Sequence, residues 1–448
     1  MKTKLINLGE RLRSTYWFLP ALMVGLAVGF SFVTIALDQF VQEKRPDLLI
    51  WVYAGGPQGV DSLLSTIASS MIAIAGVTFS ITIVALSLAS SQFGPRLLSN
   101  FMRDRGNQIV LGTFIATFIY SLLVLRVLRG DEGNVFVPHI SATFAVLLAI
   151  TNLGVLIYFI HHVSASIQAE NIIASVGRDL DEAITRLFPK KRGYGILELE
   201  HELRHGDDIP EDFDQEARPI AATQSGYLQA IDYDGLMRIA TEKDLLFHLK
   251  YRPGDFIVRG SDLVMVWPGK DLDEQLSEKI NDAFILGTQR LRMQDVEFTV
   301  NQLVEIAVRA LSPGINDPFT AIACIDQLGA SLVNLAERSI PSAYHYDADN
   351  KLCLVTDAVT FGGITDAAFN QIRQYGRSSV AVTIRLLETI AILAAHTSNR
   401  ERHAALLHQA EMIKRGADEA LPEESDRKDV KKRYELVASL LEQQVLGL

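Results

Sequence analysis

The sequence predicts a membrane α-helical fold with four transmembrane helices, followed by an α+β region in which a small barrel-sandwich-like β module precedes a helical bundle. Three observations predict it. Four long windows in the first third of the chain carry no charge. Charge changes sign after them: residues 1–163 hold 11 Lys and Arg against 8 Asp and Glu, and the rest holds 31 against 45. Beyond that point short period-two stretches give way to runs of helical period. A hydrophobic share of 48% and a mean hydropathy of +0.18 over 448 residues exclude a disordered chain and a basic nucleic-acid binder. The expected division is residues 1–162 as the transmembrane domain, 163–219 as a projecting helix, strand and acidic linker, 220–270 as the β module, and 271–448 as a mainly helical domain.

The windows are Trp17–Leu37, Leu63–Ala89, Ile109–Leu125 and Ile140–Ile160. A spanning helix needs roughly 20 apolar residues at about 1.5 Å each to cross a hydrocarbon core about 30 Å thick. The third is short and is expected to reach Leu128, with Arg126 snorkelling. The first is preceded by Lys2, Lys4, Arg11 and Arg13, but its apolar run is too long for a signal-peptide core and no small-x-small site follows it. It reads as an uncleaved anchor. Seven basic residues flank the side of the N-terminus and the second loop, against four on the other side. The positive-inside bias therefore predicts a cytoplasmic N-terminus and, after an even number of spans, a cytoplasmic C-terminal domain. Cys324 and Cys353 lie in that domain without CxxC spacing and read as free thiols.

The second window carries the most informative pattern. Residues 62–91 contain eleven Ser or Thr. Along one face, at steps of three or four, run Ser62, Thr66, Ser69, Ala73, Gly76, Ser80, Val84, Ser87 and Ser91. Two readings stand. In one, small hydroxylic residues let helices pack closely, with Thr113, Thr117 and Ser121 of the third span as a partner stripe. In the other, Ser62, Thr66, Ser69, Ser80, Ser87 and Ser91 line a water-filled path in a homo-oligomer. Phe93, Gly94, Pro95 and Arg96 follow directly. They read as an interfacial turn or as the inner mouth of that path. No Asp, Glu, Lys or Arg lies inside any window, which argues against a proton relay or voltage sensor. Asn152, the one amide there, is expected to bond between helices.

The fourth span is expected to continue as a helix to Phe188, with apolar residues at Ile173, Val176, Leu180, Ile184 and Leu187. Residues 196–203 alternate apolar and acidic and read as a strand. That stretch runs into His201-Glu202-Leu203-Arg204-His205, a match to the HExxH zinc pattern. The chemistry needs a helix; on a strand the two imidazoles stand about 13 Å apart, too far for one metal. An acidic linker follows, then strands at Ser225–Asp232, Leu245–Tyr251, Phe256–Arg259 and Leu263–Trp267. The turn order suggests the barrel-sandwich plan of biotinyl and lipoyl carriers, without their attachment lysine. Helices are expected at Asp273–Ile285, Glu297–Leu311, Phe319–Glu337, Gly363–Tyr375, Ser378–His396, Glu401–Arg415 and Glu424–Val445, with a short strand at Leu352–Val355. Between two of these helices, Pro313 and Gly314 stop one and Asn316 or Asp317 caps the next. The elbow reads as structural, or as a charged pair of Arg309 and Asp317 facing a pocket.

Arg13–Pro20, Ser90–Arg96 and Arg309–Pro318, with the β stretches around Gly226–Asp232 and Arg252–Asp255, resemble one bacterial family over nearly the whole chain. It is the domain-of-unknown-function family number twenty-two fifty-four, catalogued as a predicted membrane protein. The resemblance implies an inner-membrane protein and no established activity. His201–His205 matches no motif of that family.

There is no GxSxG and no P-loop, so no catalytic residue, metal ligand or cofactor is assigned. The leading expectation is a homo-oligomeric channel of the bacterial inner membrane with a cytoplasmic assembly or gating domain. The alternative is a non-conducting scaffold or sensor that binds a cytosolic protein. A membrane-bound metallohydrolase rests on His201 and His205 alone. The expected partners are the lipid bilayer, further copies of the chain and, in the alternative, that cytosolic protein, with no nucleic acid.

Overall fold

The computed structural model describes residues 17–44, 56–95, 104–128, 136–190, 208–397 and 399–446, in two compact units that divide between Asn171 and Ile172. The predicted strand over residues 196–203 and the His201–His205 match lie outside the described residues, as do Arg96 and the basic residues before Trp17.

The N-terminal unit consists of α1 (Phe18–Lys44), α2 (Pro57–Phe93), α3 (Arg105–Leu128) and α4 (His139–Ser166). Each is apolar because the windows carry no charge that would need water. Their core is built from Leu64 and Met71 of α2, Phe114, Tyr120 and Val124 of α3, and Ala142 and Phe159 of α4. Helix α3 is the most buried of the four, with half of its apolar window inside the protein. It runs to Leu128 as its composition predicts. Gly112 explains how close α1 comes, since a Cβ there would stand 3.1 Å from the Pro20 backbone.

The continuous helix expected through Phe188 is broken. Helix α4 ends at Ser166, and α5 (Ala169–Leu187) begins after a two-residue turn. Local polar groups offer an alternative to the helical ladder there. Asn171 Nδ2 donates to the Ala165 carbonyl at 2.8 Å, and Ser166 Oγ to the His162 carbonyl at 2.7 Å. From Ile172 onward α5 belongs to the C-terminal unit. It buries Ile173, Val176, Leu180 and Ile184, the stripe its spacing predicts.

The C-terminal unit continues with α6 (Phe213–Glu216), β1 (Arg218–Ala221), β2 (Gly226–Ile231), α7 (Tyr233–Lys243), β3 (Leu246–Leu249), β4 (Phe256–Ile257), β5 (Asp262–Trp267), α8 (Glu274–Asp282) and β6 (Phe284–Gly287). Then come α9 (Val296–Ala310), α10 (Pro318–Ala336), β7 (Tyr344–Tyr346), β8 (Leu352–Val355), α11 (Phe361–Gly376), α12 (Val380–Ala395), α13 (Arg400–Ala420) and α14 (Glu424–Leu446). The β part departs from the self-contained barrel-sandwich. One sheet has the order β1-β5-β3-β8-β7 and the other β4-β2-β6, so β6, β7 and β8 join from beyond residue 270. Strand β8 pairs with β3 in parallel, Phe247 opposite Leu354, and it is buried at every position. Its four apolar residues cover a sheet that the local strands leave open. Strand β6 replaces the end of the predicted helix Asp273–Ile285. Asp273 caps α8 through the Leu276 N–H at 2.6 Å, and Phe284 then pairs with Ile231.

Helix α10 is a fifth helix long and apolar enough to cross a membrane. It lies within the C-terminal unit, where Ala321, Cys324, Ile325, Leu328 and Leu332 are buried in the bundle. Burial of one broad face in the bundle accounts for its apolar character, and Asp326 on the outer side is exposed and pairs with Arg385.

Candidate functional site

The hydroxylic row of α2 is exposed along its length. Ser62, Thr66, Ser69, Ala73, Gly76, Ser80, Val84, Ser87 and Ser91 are all solvent-exposed. The opposite face, with Val60, Leu64, Ile67, Met71, Ala75 and Thr78, is the one packed on α3 and α4. Among the described residues, the row is therefore not the face that packs on the bundle. The expected partner stripe on α3 faces elsewhere: Thr117 and Ser121 are buried, and Thr117 Oγ1 accepts from Asn152 Nδ2 of α4 at 2.8 Å. Asn152 is thus the interhelical bond its isolation predicts.

Several hydroxyls of the row already donate to their own helix. Thr66 Oγ1 reaches the Ser62 carbonyl at 2.7 Å, Ser80 Oγ the Gly76 carbonyl at 2.9 Å, and Ser91 Oγ the Leu88 carbonyl at 2.9 Å. What such a hydroxyl then presents outward is acceptor lone pairs on oxygen. Apolar Ile72, Val77, Ile81, Ile83 and Leu88 flank the row and are exposed with it. On α1, Gly25 and Gly29 stand one turn apart, with nothing within 4 Å of where a Cβ would lie.

Helix α2 ends as its sequence predicts. Gly94 adopts φ of 115°, a backbone region that side chains resist, and its N–H returns to the Ser90 carbonyl at 3.1 Å. Phe93 is buried and Pro95 is exposed.

Two polar clasps at opposite ends of the bundle are absent from the sequence reading. Asp38 is placed by its number just beyond the first window, yet it lies inside α1 and is 3% exposed. Its carboxylate accepts from the Ile140 and Ser141 N–H groups at 2.7 and 2.9 Å and from Ser141 Oγ at 2.6 Å. These donors form the first turn of α4, whose own N-cap, Pro138, supplies no side-chain acceptor. The carboxylate thus satisfies orphan N–H groups at the positive end of a helix dipole. Tyr120 Oη donates to the Ser141 carbonyl at 3.2 Å and lies 3.0 Å from Thr34 Oγ1. At the other end, Asp104 caps α3 through the Gly106 N–H at 2.8 Å and holds His162 Nε2 of α4 at 2.6 Å. The Tyr158 ring stacks on that imidazole at 5.3 Å. Beside it is an apolar cavity of about 190 Å³ that Trp17, Phe79, Ile83, Asn107 and Val163 help to line. The signal for the Asp38 clasp was a lone carboxylate against a window edge, which by itself reads as a boundary charge, and Asp104 stands between Arg103 and Arg105 ahead of the third window.

In the C-terminal unit the elbow is resolved in favour of Asp317 as cap. Its carboxylate accepts from the Phe319 and Thr320 N–H groups at 3.1 and 3.2 Å and from Thr320 Oγ1 at 2.6 Å. The Thr320 hydroxyl holds the Asp317 pKa below its ordinary value. Pro318 takes the first turn of α10, and Asn316 sits in the left-handed region at φ of 50°. Arg309 lies 3.4 Å from Glu305, one turn back on α9. Pro313 and Gly314 make the turn between, and Ile315 and Phe319 are exposed, Phe319 at 81%.

A charged cluster joins the β part to α9. Asp295 caps α9 through the Phe298 N–H at 2.9 Å and accepts from Arg290 Nε at 2.7 Å, while Arg252 reaches Glu297 at 3.0 Å. Burial pushes the Asp295 carboxyl up, with Arg290 pulling the other way. Gly254, at φ of 104°, is required beside it, since a Cβ would stand 2.5 Å from Asp295 Oδ2. Cys324 and Cys353 are buried free thiols, and burial raises both. His403 is 2% exposed, and its Nε2 donates to the Thr397 carbonyl at 2.7 Å. Among the described residues no three His, Cys, Asp or Glu side chains gather as a metal site.

The family model described as Predicted membrane protein (DUF2254) matches residues 13–391. Uncharacterized proteins of Mycobacterium bovis and of two strains of Mycobacterium tuberculosis are 30% identical over 428 residues, covering 93% of this chain and 79% of each relative. No solved structure matches the chain.

Proposed function

Because the chain belongs to the family of predicted membrane proteins DUF2254, we propose that it crosses the bacterial inner membrane four times, through α1 to α4, and assembles as a homo-oligomeric channel. In this reading the N-terminus and the C-terminal unit are cytoplasmic. The carrying observation is that α2 packs Val60, Leu64, Ile67 and Met71 on its own bundle and turns its hydroxylic row outward, between exposed Ile72, Val77, Ile81, Ile83 and Leu88. Helices that meet in a membrane bury small hydroxylic residues against one another, so a row left outward calls for water or another copy of the chain. Ser62, Thr66, Ser69, Ser80, Ser87 and Ser91 line the path, and their outward lone pairs replace part of a permeant ion's water shell. Gly25 and Gly29 of α1 let neighbouring copies approach at backbone distance. Phe93, Gly94, Pro95 and Arg96 form the inner mouth, and the C-terminal unit assembles or gates the pore.

The test is current through planar bilayers containing the purified protein. The wild type passes ions. Ser69→Leu with Ser80→Leu abolishes the current while crosslinking still recovers the oligomer, since both side chains lie on an uncovered face and the chain's own packing is untouched. Undiminished current in that variant removes α2 from the pore.

A second reading, a non-conducting scaffold, is favoured by one feature: Ile315 and Phe319 are exposed together at the elbow, at 48% and 81%. It predicts silent bilayers and a cytosolic protein that Phe319→Ser releases. We propose no catalytic role, cofactor or metal.

A further inference from the structure

The C-terminal unit is acidic, yet one concave site in it gathers positive charge. Arg373 and Tyr375 stand on the last turn of α11, Arg377 is its C-cap, and Arg415, Gly416 and Glu419 come from one face of α13. Together they bound a cavity of about 430 Å³. Gly416 lies against Arg377: a Cβ built on it would make ordinary contact, at 3.8 Å, with the Arg377 Cβ.

The charges do not balance. Arg252, Arg290, Arg292, Arg385 and Arg433 of the same unit each hold a carboxylate. Among the described residues no carboxylate oxygen lies within 4.0 Å of Arg373, Arg377 or Arg415. Glu419 is the one acidic side chain on the wall. The C-terminal end of α11 adds roughly half a negative charge. Asp366 attracts Arg373 from farther off, but its carboxylate already accepts from Gln409 Nε2 at 2.6 Å. Arg373 Nε is buried without a partner, and its Nη2 makes only a 3.4 Å contact with Asn370. Burial, then Arg415, press its guanidinium pKa down. Arg373 is half-buried, and its sealed Nε–H is costly to leave unsatisfied unless something completes it, while Arg377 and Arg415 are exposed at the rim. Three planar forks around one concavity match a tetrahedral oxyanion with several acceptors.

We infer that the cavity between the C-terminal end of α11 and α13 binds a phosphate-bearing anion, held by Arg373, Arg377 and Arg415. The inference stands whether or not the protein conducts. The anion comes either from a soluble phosphate compound or from a phospholipid headgroup, and both present the same oxygens to the arginines.

The experiment uses the delipidated full-length protein in detergent, titrated with inorganic pyrophosphate and, separately, with water-soluble dioctanoyl phosphatidic acid. Binding is read by calorimetry. The wild type saturates with at least one probe at one site per chain. Arg373→Gln with Arg415→Gln weakens it roughly tenfold to a hundredfold, the worth of one to two charge-assisted hydrogen bonds. Glu419→Gln tightens it by removing a repulsive charge, and Arg259→Gln, an exposed arginine of the β part, leaves it unchanged. Tighter binding of pyrophosphate assigns a soluble ligand, and tighter binding of the short-chain lipid assigns a headgroup. Absence of saturable binding for both probes overturns the inference. So does equal affinity of the wild type, the double variant and Glu419→Gln, which also guards against a double variant that fails to fold.

Discussion

Asp38 shows how one side chain joins two helices that are far apart in sequence. It accepts three hydrogen bonds from the start of α4 while lying a turn and a half from the end of α1. A carboxylate in an apolar bundle is tolerated only where donors replace its water, and here the donors are N–H groups that α4 cannot satisfy itself. Asp38→Ala strips those donors of their acceptor and should lower unfolding stability in detergent by about 2–4 kcal/mol. Asp38→Asn keeps one acceptor oxygen and should lose less. Thermal unfolding of the two variants checks the order, and equal midpoints for wild type and Asp38→Ala would show that the contact carries nothing. Asp317 does the same work locally, within its own helix, and so its role was readable from the order Asn-Asp-Pro. Between the two lies the difference between a cap encoded by neighbours and a cap supplied from about a hundred residues away.

At the scale of elements, the C-terminal end of α10 is held from three directions. Arg402 of α13 donates to the Ala336 and Arg338 carbonyls at 2.6 and 3.0 Å. Arg338 in turn donates to the Phe188 carbonyl at 2.8 Å and Thr185 Oγ1 at 3.0 Å, tying α5 to the same point. The Phe361 ring of α11 lies 5.2 Å below the Arg402 guanidinium. One buried fork thus closes the end of a helix and positions three others around it. Arg402→Met keeps the volume but leaves those carbonyls unpaired, at a cost of about 2–4 kcal/mol, and Lys restores only part because it lacks the fork. Chemical denaturation of the full-length protein reads both. The elements themselves were largely legible. Amphipathic spacing marked α5 and α9 to α13, because each buries one face in a bundle and that face must recur every three or four residues. What failed were the joins: α4 ends at Ser166 rather than running through, and β6 takes the last residues of a predicted helix. Both turn on which partner a few residues find, the Ala165 carbonyl for Asn171 and β2 for Phe284.

Taken whole, the chain is two cores with a division between Asn171 and Ile172. The C-terminal core draws every strand of its two sheets, from Arg218 to Val355, from its own unit. A fragment of residues 172–448 should therefore fold alone in water, with mixed α and β circular dichroism and one cooperative thermal transition. A fragment that aggregates or melts without cooperativity would show that its core needs the N-terminal unit.

The sequence by itself determined the membrane character, the places of the four N-terminal apolar helices and the existence of a hydroxylic row, because length, charge and period are properties of a chain read in order. The tertiary structure alone decided that the row faces outward, that Asp38 serves α4, that β8 completes a sheet begun by β3, and that three arginines meet at one cavity. Each of these depends on which surfaces touch. Burial and hydrogen bonding are settled between residues distant in sequence, where no local pattern carries the information.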